Sequence, residues 1–295
     1  MQMVILFFAH GAKEFLNEVI FAVLSYYQHH RVGEHQVVIY TDNEAYFRQW
    51  LPEEVTYVAV DAAKVREWRG AIDFVHRVKI EMIRDAFTRF PDRNVLYLDS
   101  DVYFKENISF LGDKIVQGTP VMSLDEGSVF GSKLRHFKKI EAYLKAHNNT
   151  IGTGPPVVVP QGQSMYNAGV LGIRADWAPL LSEVLAITDL LHPEAPTHVS
   201  EQFAFSVVLA RQGAIYAAEP HIHHYWYFKE FRAVINAFLQ ENEGKSFEEL
   251  VRLSAAYNPE RMGSEKLAYK QMNFWQKLYY KIKNRGQKSV ISGQL

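Results

Sequence analysis

The 295-residue sequence contains no cysteine, which excludes disulfide frameworks, thiolate nucleophiles and Cys-ligated zinc together. It has no apolar run approaching the roughly 20 residues that a membrane-spanning helix needs. Its first ten residues are apolar but lack the basic segment that opens a secretory signal, so the expected location is the cytoplasm. Internal repeats and low-complexity linkers are also missing, and the net charge is only −1. What remains is an ordinary globular composition, 48% hydrophobic and 22% charged, with ample material for a packed core.

The small net charge hides an asymmetry. Residues 261–295 carry eight Lys/Arg and one acid, Glu265, a net +7. Residues 1–260 then hold twenty-four bases against thirty-two acids, a net −8. An acidic body argues against nucleic acid as a partner, whereas the basic tail offers a contact surface for anions. The division expected is one domain over 1–260 followed by a basic helical tail over 261–295.

Hydrophobic period sets the fold class. Continuous apolar runs at 3–9, 36–41, 55–60 and 95–98 read as strands, and 14–28 and 72–90 as the helices between them. On the first helix Phe15, Val19, Ala22 and Val23 share a stripe. Strands separated by helices imply right-handed crossovers and a mainly parallel α/β sheet with flanking helices, of Rossmann-like type. Further on, 120–124, 166–173 and 215–218 read as strands. Helices are expected over 133–147, 177–191, 200–211, 247–256 and 267–283, with a loop over 152–162.

Chemistry gathers where this sheet presents its ligand crevice, beyond the carboxyl ends of its strands. Asp99-Ser100-Asp101 follows the apolar run 95–98, and the spacing turns both carboxylates to one side of an extended chain. Two hard oxygen ligands suit Mn²⁺ or Mg²⁺; the alternative is an unremarkable loop pair. Lys79 lies in the apolar stripe of Val75, Val78, Met82, Ile83 and Ala86, where it must snorkel, pair with an acid or meet an anion. Arg77 falls on the other side of that helix.

His221, His223 and His224 precede Lys229. In a strand His221 and His223 face one way and His224 the other, so either His223 or His224 can join the carboxylates. Asn167-Ala168-Gly169 opens an apolar strand with a polar side chain and a glycine that permits close backbone approach. Ser200 reads as an N-cap, with Glu201 in the first turn and Gln202 beside it.

Taken in order, these segments resemble glycosyltransferases of the GT-A fold, and most of all the family 8 type that includes glycogenin and lipopolysaccharide galactosyltransferases. The resemblance runs from the first strand through Tyr40-Thr41-Asp42, Arg77-x-Lys79, Asp99-Ser100-Asp101, Asn167-Ala168-Gly169 and Glu201-Gln202 to His223–Lys229, about residues 3–230. It implies a UDP-sugar donor and a glycan, lipid-linked or lipopolysaccharide acceptor. Asp99, Asp101 and His223 or His224 would hold Mn²⁺ (or Mg²⁺), with Ser100 and Gly169 beside the donor. Lys79 and Lys229 would neutralise phosphate or sugar oxygens, Asp42 would lie near the uracil or ribose, and Asn167, Glu201 and Gln202 near the transferred sugar. Where the family writes His-x-x-Gly-x-x-Lys-Pro-Trp, this chain has Trp226 for the Gly and Glu230-Phe231 for the Pro-Trp.

Two rival readings use the same residues differently. A Mg²⁺-dependent phosphatase also places Asp-x-Asp at a strand end, but near the start of its domain and with a later acidic pair. A non-catalytic nucleotide-sugar-binding protein would keep the fold and the ligand without turnover. In the tail, Phe274, Trp275, Leu278, Tyr279 and Ile282 share a helix face flanked by Lys277 and Lys281. That face suits either docking on the body or peripheral contact with an anionic membrane.

Overall fold

The computed structural model describes residues 3–152 and 156–283. The first part of the chain runs β1 (Val4–Ala9), α1 (Lys13–Tyr27), β2 (Gln36–Thr41), α2 (Glu44–Phe47), β3 (Thr56–Ala59), α3 (Ala62–Arg69), α4 (Arg77–Arg89) and β4 (Val95–Leu98). Then come β5 (Val102–Phe104), α5 (Ser109–Val116), β6 (Val121–Met122), β7 (Asp125–Ser128), α6 (Arg135–Ala146), β8 (Thr150–Ile151), β9 (Val157–Val158), β10 (Ser164–Tyr166) and β11 (Val170–Ile173). The remainder is α7 (Leu180–Glu194), α8 (Ser200–Ala210), β12 (Tyr216–Ala217), β13 (Ile222–His224), α9 (Phe231–Glu241), α10 (Phe247–Ser254), α11 (Pro259–Gln271) and α12 (Phe274–Lys283).

Seven strands form the main sheet, in the order β12-β6-β11-β4-β1-β2-β3. All neighbours are parallel except β11, which runs antiparallel to both β4 and β6. Strand alternation sorts the core into two layers. Val4, Leu6, Val38, Tyr40, Val95 and Tyr97 pack with residues of α4, α7 and α8. Ile5, Phe7, Val37, Ile39, Leu96 and Leu98 pack with α1, α5 and α9 on the other side. Apolar runs without polar interruption are therefore strands covered on both faces.

Several expected elements shift, each for a local reason. The helix expected from residue 72 begins only at Arg77, because Gly70 (φ +67°) and Asp73 (φ +49°) turn the chain first. The strand expected over 166–173 is split into β10 and β11 by Asn167-Ala168-Gly169. The loop expected over 152–162 contributes Val157–Val158, paired with Thr150–Ile151. Ser200 is not the cap of α8 but its first residue, its hydroxyl donating to the Thr197 carbonyl at 2.9 Å. Phe15 lies outside the buried stripe of α1 and is 39% exposed. Helices α2, α3, α5 and α9 were not expected. Arg77, on the other side of α4, is clamped, its Nε donating to Asp189 of α7 at 2.8 Å and its Nη1 to the Trp68 carbonyl at 2.8 Å.

The start of α11 stays with the body: Glu260 pairs with Lys105 at 3.0 Å, and Met262 packs against the second core layer. On α12, Trp275 and Tyr279 are 73% and 67% exposed. The side chains of Phe274, Leu278 and Ile282, with which they were expected to share a face, lie outside the described set, as does everything beyond residue 283. No helix among the described residues is long and apolar enough to cross a membrane.

Candidate active site

Antiparallel β11 is the device that assembles the site. Because Val170 pairs with Leu98 and Ile173 with Val95, the residues entering β11 meet those leaving β4. Asp99 N–H donates to the Gly169 carbonyl at 2.9 Å, locking the two loops together. A second pairing, β13 against β5, sets His224 opposite Val102, and Tyr225 N–H donates to the Asp101 carbonyl at 2.9 Å. Two local ladders thus bring residues far apart in sequence to one end of the sheet. They line a cleft of about 590 Å³.

Asp101 is buried. It lies 3.0 Å from His224 Nε2 and accepts from Lys229 Nζ at 2.8 Å. Burial works against its charge, but His224 and Lys229 hold its carboxyl well below the usual carboxylate range. Asp99 faces the same point, its Oδ2 3.7 Å from His224 Nε2. Its other oxygen accepts from the hydroxyl of Tyr97, whose burial keeps it protonated, and lies 3.2 Å from Lys79 Nζ.

The orientation of His224 follows from its neighbours. Asn167 Oδ1 accepts the Gly169 N–H at 2.9 Å and sits 2.9 Å from His224 Nδ1. An oxygen already accepting one proton here is an acceptor again, so Nδ1 carries the hydrogen and Nε2 turns toward Asp99 and Asp101. An imidazole lone pair 3.0 Å from a carboxylate is repulsive unless a proton or a metal cation lies between them. Two carboxylates and one imidazole, with ligand atoms all within 4.8 Å of one another, fit Mn²⁺ or Mg²⁺ in hardness and spacing.

Of the two histidines expected as ligands, His223 is turned away, as strand alternation requires. Its Nε2 lies 3.0 Å from the Tyr227 hydroxyl, and burial lowers its pKa to about 4. The cluster that could hold a cation is therefore Asp99, Asp101 and His224. A second cluster, His30, Glu34 and His35, has comparable spacing but the wrong chemistry. His30 Nε2 accepts the Ile108 N–H at 3.0 Å, so its Nδ1 holds the proton shared with Glu34 at 2.8 Å and has no lone pair to offer.

The floor of the cleft is a polar lattice. Lys79, only 7% exposed, gives Nζ to the Ala168 carbonyl at 3.0 Å and lies 3.2 Å from Asp99 and 3.5 Å from Glu201. Burial opposes its charge, yet those two carboxylates keep its pKa above the ordinary lysine value. Of the outcomes expected for it, pairing with acids is the one found. Gln202 accepts the Ala168 N–H at 3.3 Å and donates to Glu126 at 2.8 Å, while Asn167 Nδ2 donates to the other Glu126 oxygen at 3.1 Å. Both backbone groups of Ala168 are thereby satisfied outside any strand, which is why β10 and β11 are separate. Glu201 is buried, with one oxygen lacking any hydrogen-bond partner.

Not every expected residue faces the cleft. Asp42 accepts the Gly11 N–H at 3.2 and 3.1 Å and fixes the loop that carries His10, which does line it. Ser100 lies at the edge of the cleft, with its hydroxyl donating to Glu18 at 3.0 Å. Lys229 and Gly169 line the cleft as expected. His10, His76, His136, His198, Trp226 and Arg232 line it without having been singled out as site residues. The histidines stand alone in sequence with no motif around them; Trp226 was noted only as replacing a glycine.

No family model matches this chain, and no curated protein matches it. Solved structures do. The apo-form glycosyltransferase GlyE of Streptococcus pneumoniae superposes with a TM-score of 0.51 at 15% identity, over 87% of this chain and 63% of that one. Galactosyltransferase LgtC gives 0.46 at 15% identity over 70% of each chain. Mouse xyloside xylosyltransferase 1 gives 0.46 at 15% identity over 74% of this chain and 85% of that chain. At such identities the likeness is one of architecture, and it is GlyE that carries it. A mainly parallel sheet with one reversed strand and helices on both faces, matched to that glycosyltransferase, gives this chain the GT-A fold that its motif order implies.

Proposed function

We propose that the cleft transfers a sugar from a UDP-sugar to a glycan, lipid-linked or lipopolysaccharide acceptor, with Mn²⁺ or Mg²⁺ held by Asp99, Asp101 and His224. The observation that supports this most directly is the placing of His224, whose Nε2 faces Asp101 across 3.0 Å while Nδ1 lies 2.9 Å from Asn167 Oδ1. When bound there, the cation would stabilise the negative charge that grows on the departing UDP.

This chain's own residues divide the remaining work. Lys229, half-exposed and hinged on Asp101, is free to turn its ammonium to a phosphate. Glu201 offers its unpartnered oxygen, and Gln202 its amide, to hydroxyls of the transferred sugar. Lys79 has its three donor positions directed at Ala168, Asp99 and Glu201, so its role is to orient those two carboxylates. Asp42 steadies the loop on the nucleotide side through Gly11. The stereochemical course that accompanies this motif order is retention, which the anomeric proton signals of the product would read.

Release of UDP from a panel of UDP-sugars, with and without Mn²⁺, tests the reading. Metal-dependent release from one of them is the expected result. UDP bound but never released from any sugar would leave a nucleotide-sugar-binding protein instead.

The exposed Trp275 and Tyr279 beside Lys277, on a tail of +7, support a further element of the proposal, peripheral contact with anionic lipid. Co-sedimentation is expected with vesicles containing phosphatidylglycerol. It should fall in high salt and in the double variant Trp275→Ser/Tyr279→Ser. Equal behaviour with purely zwitterionic vesicles would refute it.

A further inference from the structure

A fully buried carboxylate lies beneath the Asp-x-Asp loop with no part in the chemistry described so far. Glu18, in the middle of α1, is 0% exposed. Its Oε1 accepts from Arg232 Nε at 2.8 Å, and its Oε2 accepts from Arg232 Nη2 at 3.1 Å and from the Ser100 hydroxyl at 3.0 Å. Burying an acid inside a helix is costly, and a bidentate arginine is what makes it tolerable. A purely structural pair could be replaced by apolar residues at little cost. This one instead spans 214 residues of sequence to reach the edge of the cleft.

The arrangement has a direction. Glu18 is on the protein side, whereas Arg232 lines the cleft together with Lys229 and Ser100. The guanidinium also lies over the ring of Phe15, 4.9 Å from its centroid, so both its plane and its edge are fixed. Among the described residues, no hydrogen bond engages its third nitrogen, Nη1. The cleft is otherwise rich in acid: Asp99, Asp101, Glu126 and Glu201 face it against Lys79, which is already paired, and Lys229. An anion entering there needs a cation that is not consumed by those carboxylates.

We propose that Arg232 is a second grip on the diphosphate of the donor, offering Nη1 to a phosphate oxygen, and that Glu18 is the positioning residue that holds it there. The assignment rests on the donor reading above and deepens it. Because the side chain is immobilised before the ligand arrives, little ordering entropy remains to be lost on binding. Ser100, tied to the same carboxylate, couples this grip to the loop that bears Asp99 and Asp101.

The test measures binding of UDP, inorganic pyrophosphate and uridine in the presence of Mn²⁺. It compares wild type, Arg232→Gln, and the double variant Glu18→Gln/Arg232→Gln. A charge-assisted contact of this kind is worth about tenfold to a hundredfold in affinity. Arg232→Gln should lose that factor for UDP and pyrophosphate and leave uridine essentially unchanged. The single variant strands a buried acid and should melt lower, whereas the double variant pairs two neutral amides and should regain the melting temperature without regaining UDP affinity. Recovery of affinity together with stability, or equal losses for UDP and uridine, would overturn the assignment. A wild-type protein that binds pyrophosphate but not UDP would refute the donor reading and leave the anion grip standing. One that binds neither would refute both.

Discussion

Asp101→Ala is expected to reduce Mn²⁺-dependent UDP release by about a hundredfold to a thousandfold, the loss that follows removal of one preorganised charge contact at a site of developing charge. The substitution removes the carboxylate on which His224 and Lys229 converge, at 3.0 and 2.8 Å. Lys229 is half-exposed and can return to water, so the fold should survive, with far-ultraviolet circular dichroism unchanged. Asp101→Asn gives the sharper comparison, because it preserves volume and a neutral acceptor while removing charge. Wild-type release by Asp101→Asn would mean that the site does not work through a cation. The pH behaviour follows from the sign of the shift. Because Asp101 is held below its ordinary value, its ion pairs stabilise the fold above that value and fail only as pH falls through the lower folded one. Any acid limb between pH 5 and 7 must therefore come from another group, and should persist in Asp101→Asn if residual activity can be followed.

The proposed metal ligands were legible in the sequence to the extent that strand geometry is local. Asp-x-Asp after the run 95–98 gave both carboxylates, since a buried strand fixes where the next side chains point. The alternation of His223 and His224 was equally plain, but not which of them faces Asp101. That is decided by the pairing of β13 with β5, a contact over more than a hundred residues. Ser100 and Asp42 sit in the expected motifs yet turn to Glu18 and Gly11, for the same reason: motif position fixes the backbone, and partners fix the side chain.

What could not be read is mostly convergence from distant elements. The reversal of β11 brings Asn167 to His224, and the sequence carries no mark of strand direction. Glu126 grips both Asn167 and Gln202, a contact that depends on the β7–β10 pair. Helix α9 is a different case. Phe231, Ile235, Phe238 and Leu239 repeat at helical spacing and are all buried, so the pattern was present but overshadowed by the aromatic stretch before it. Glu18 shows the limit most clearly, since an acid in an amphipathic helix ordinarily marks the solvent face.

Gly169→Ala should be the most damaging glycine-to-alanine change among the described residues. A Cβ at this position would lie 2.2 Å from His224 Nδ1 and Cε1, closer than side chains are ever found. The backbone itself would accept alanine, because Gly169 is not in the left-handed region; the conflict is entirely with the ring. His224 would have to leave, breaking its 2.9 Å contact with Asn167 and withdrawing Nε2 from Asp101. Overpacking of this kind costs about 1–3 kcal/mol, and loss of ligand orientation about tenfold to a hundredfold in metal affinity. Gly162→Ala is the control, since nothing lies within 4 Å of its added methyl. The double variant Gly169→Ala/His224→Ala separates the two effects. With the ring gone the clash is gone, so the melting temperature should recover while Mn²⁺ affinity stays as low as in His224→Ala alone. Wild-type Mn²⁺ affinity in Gly169→Ala would mean that His224 does not need this ring position to do its work, and the ligand set would have to be drawn again without it.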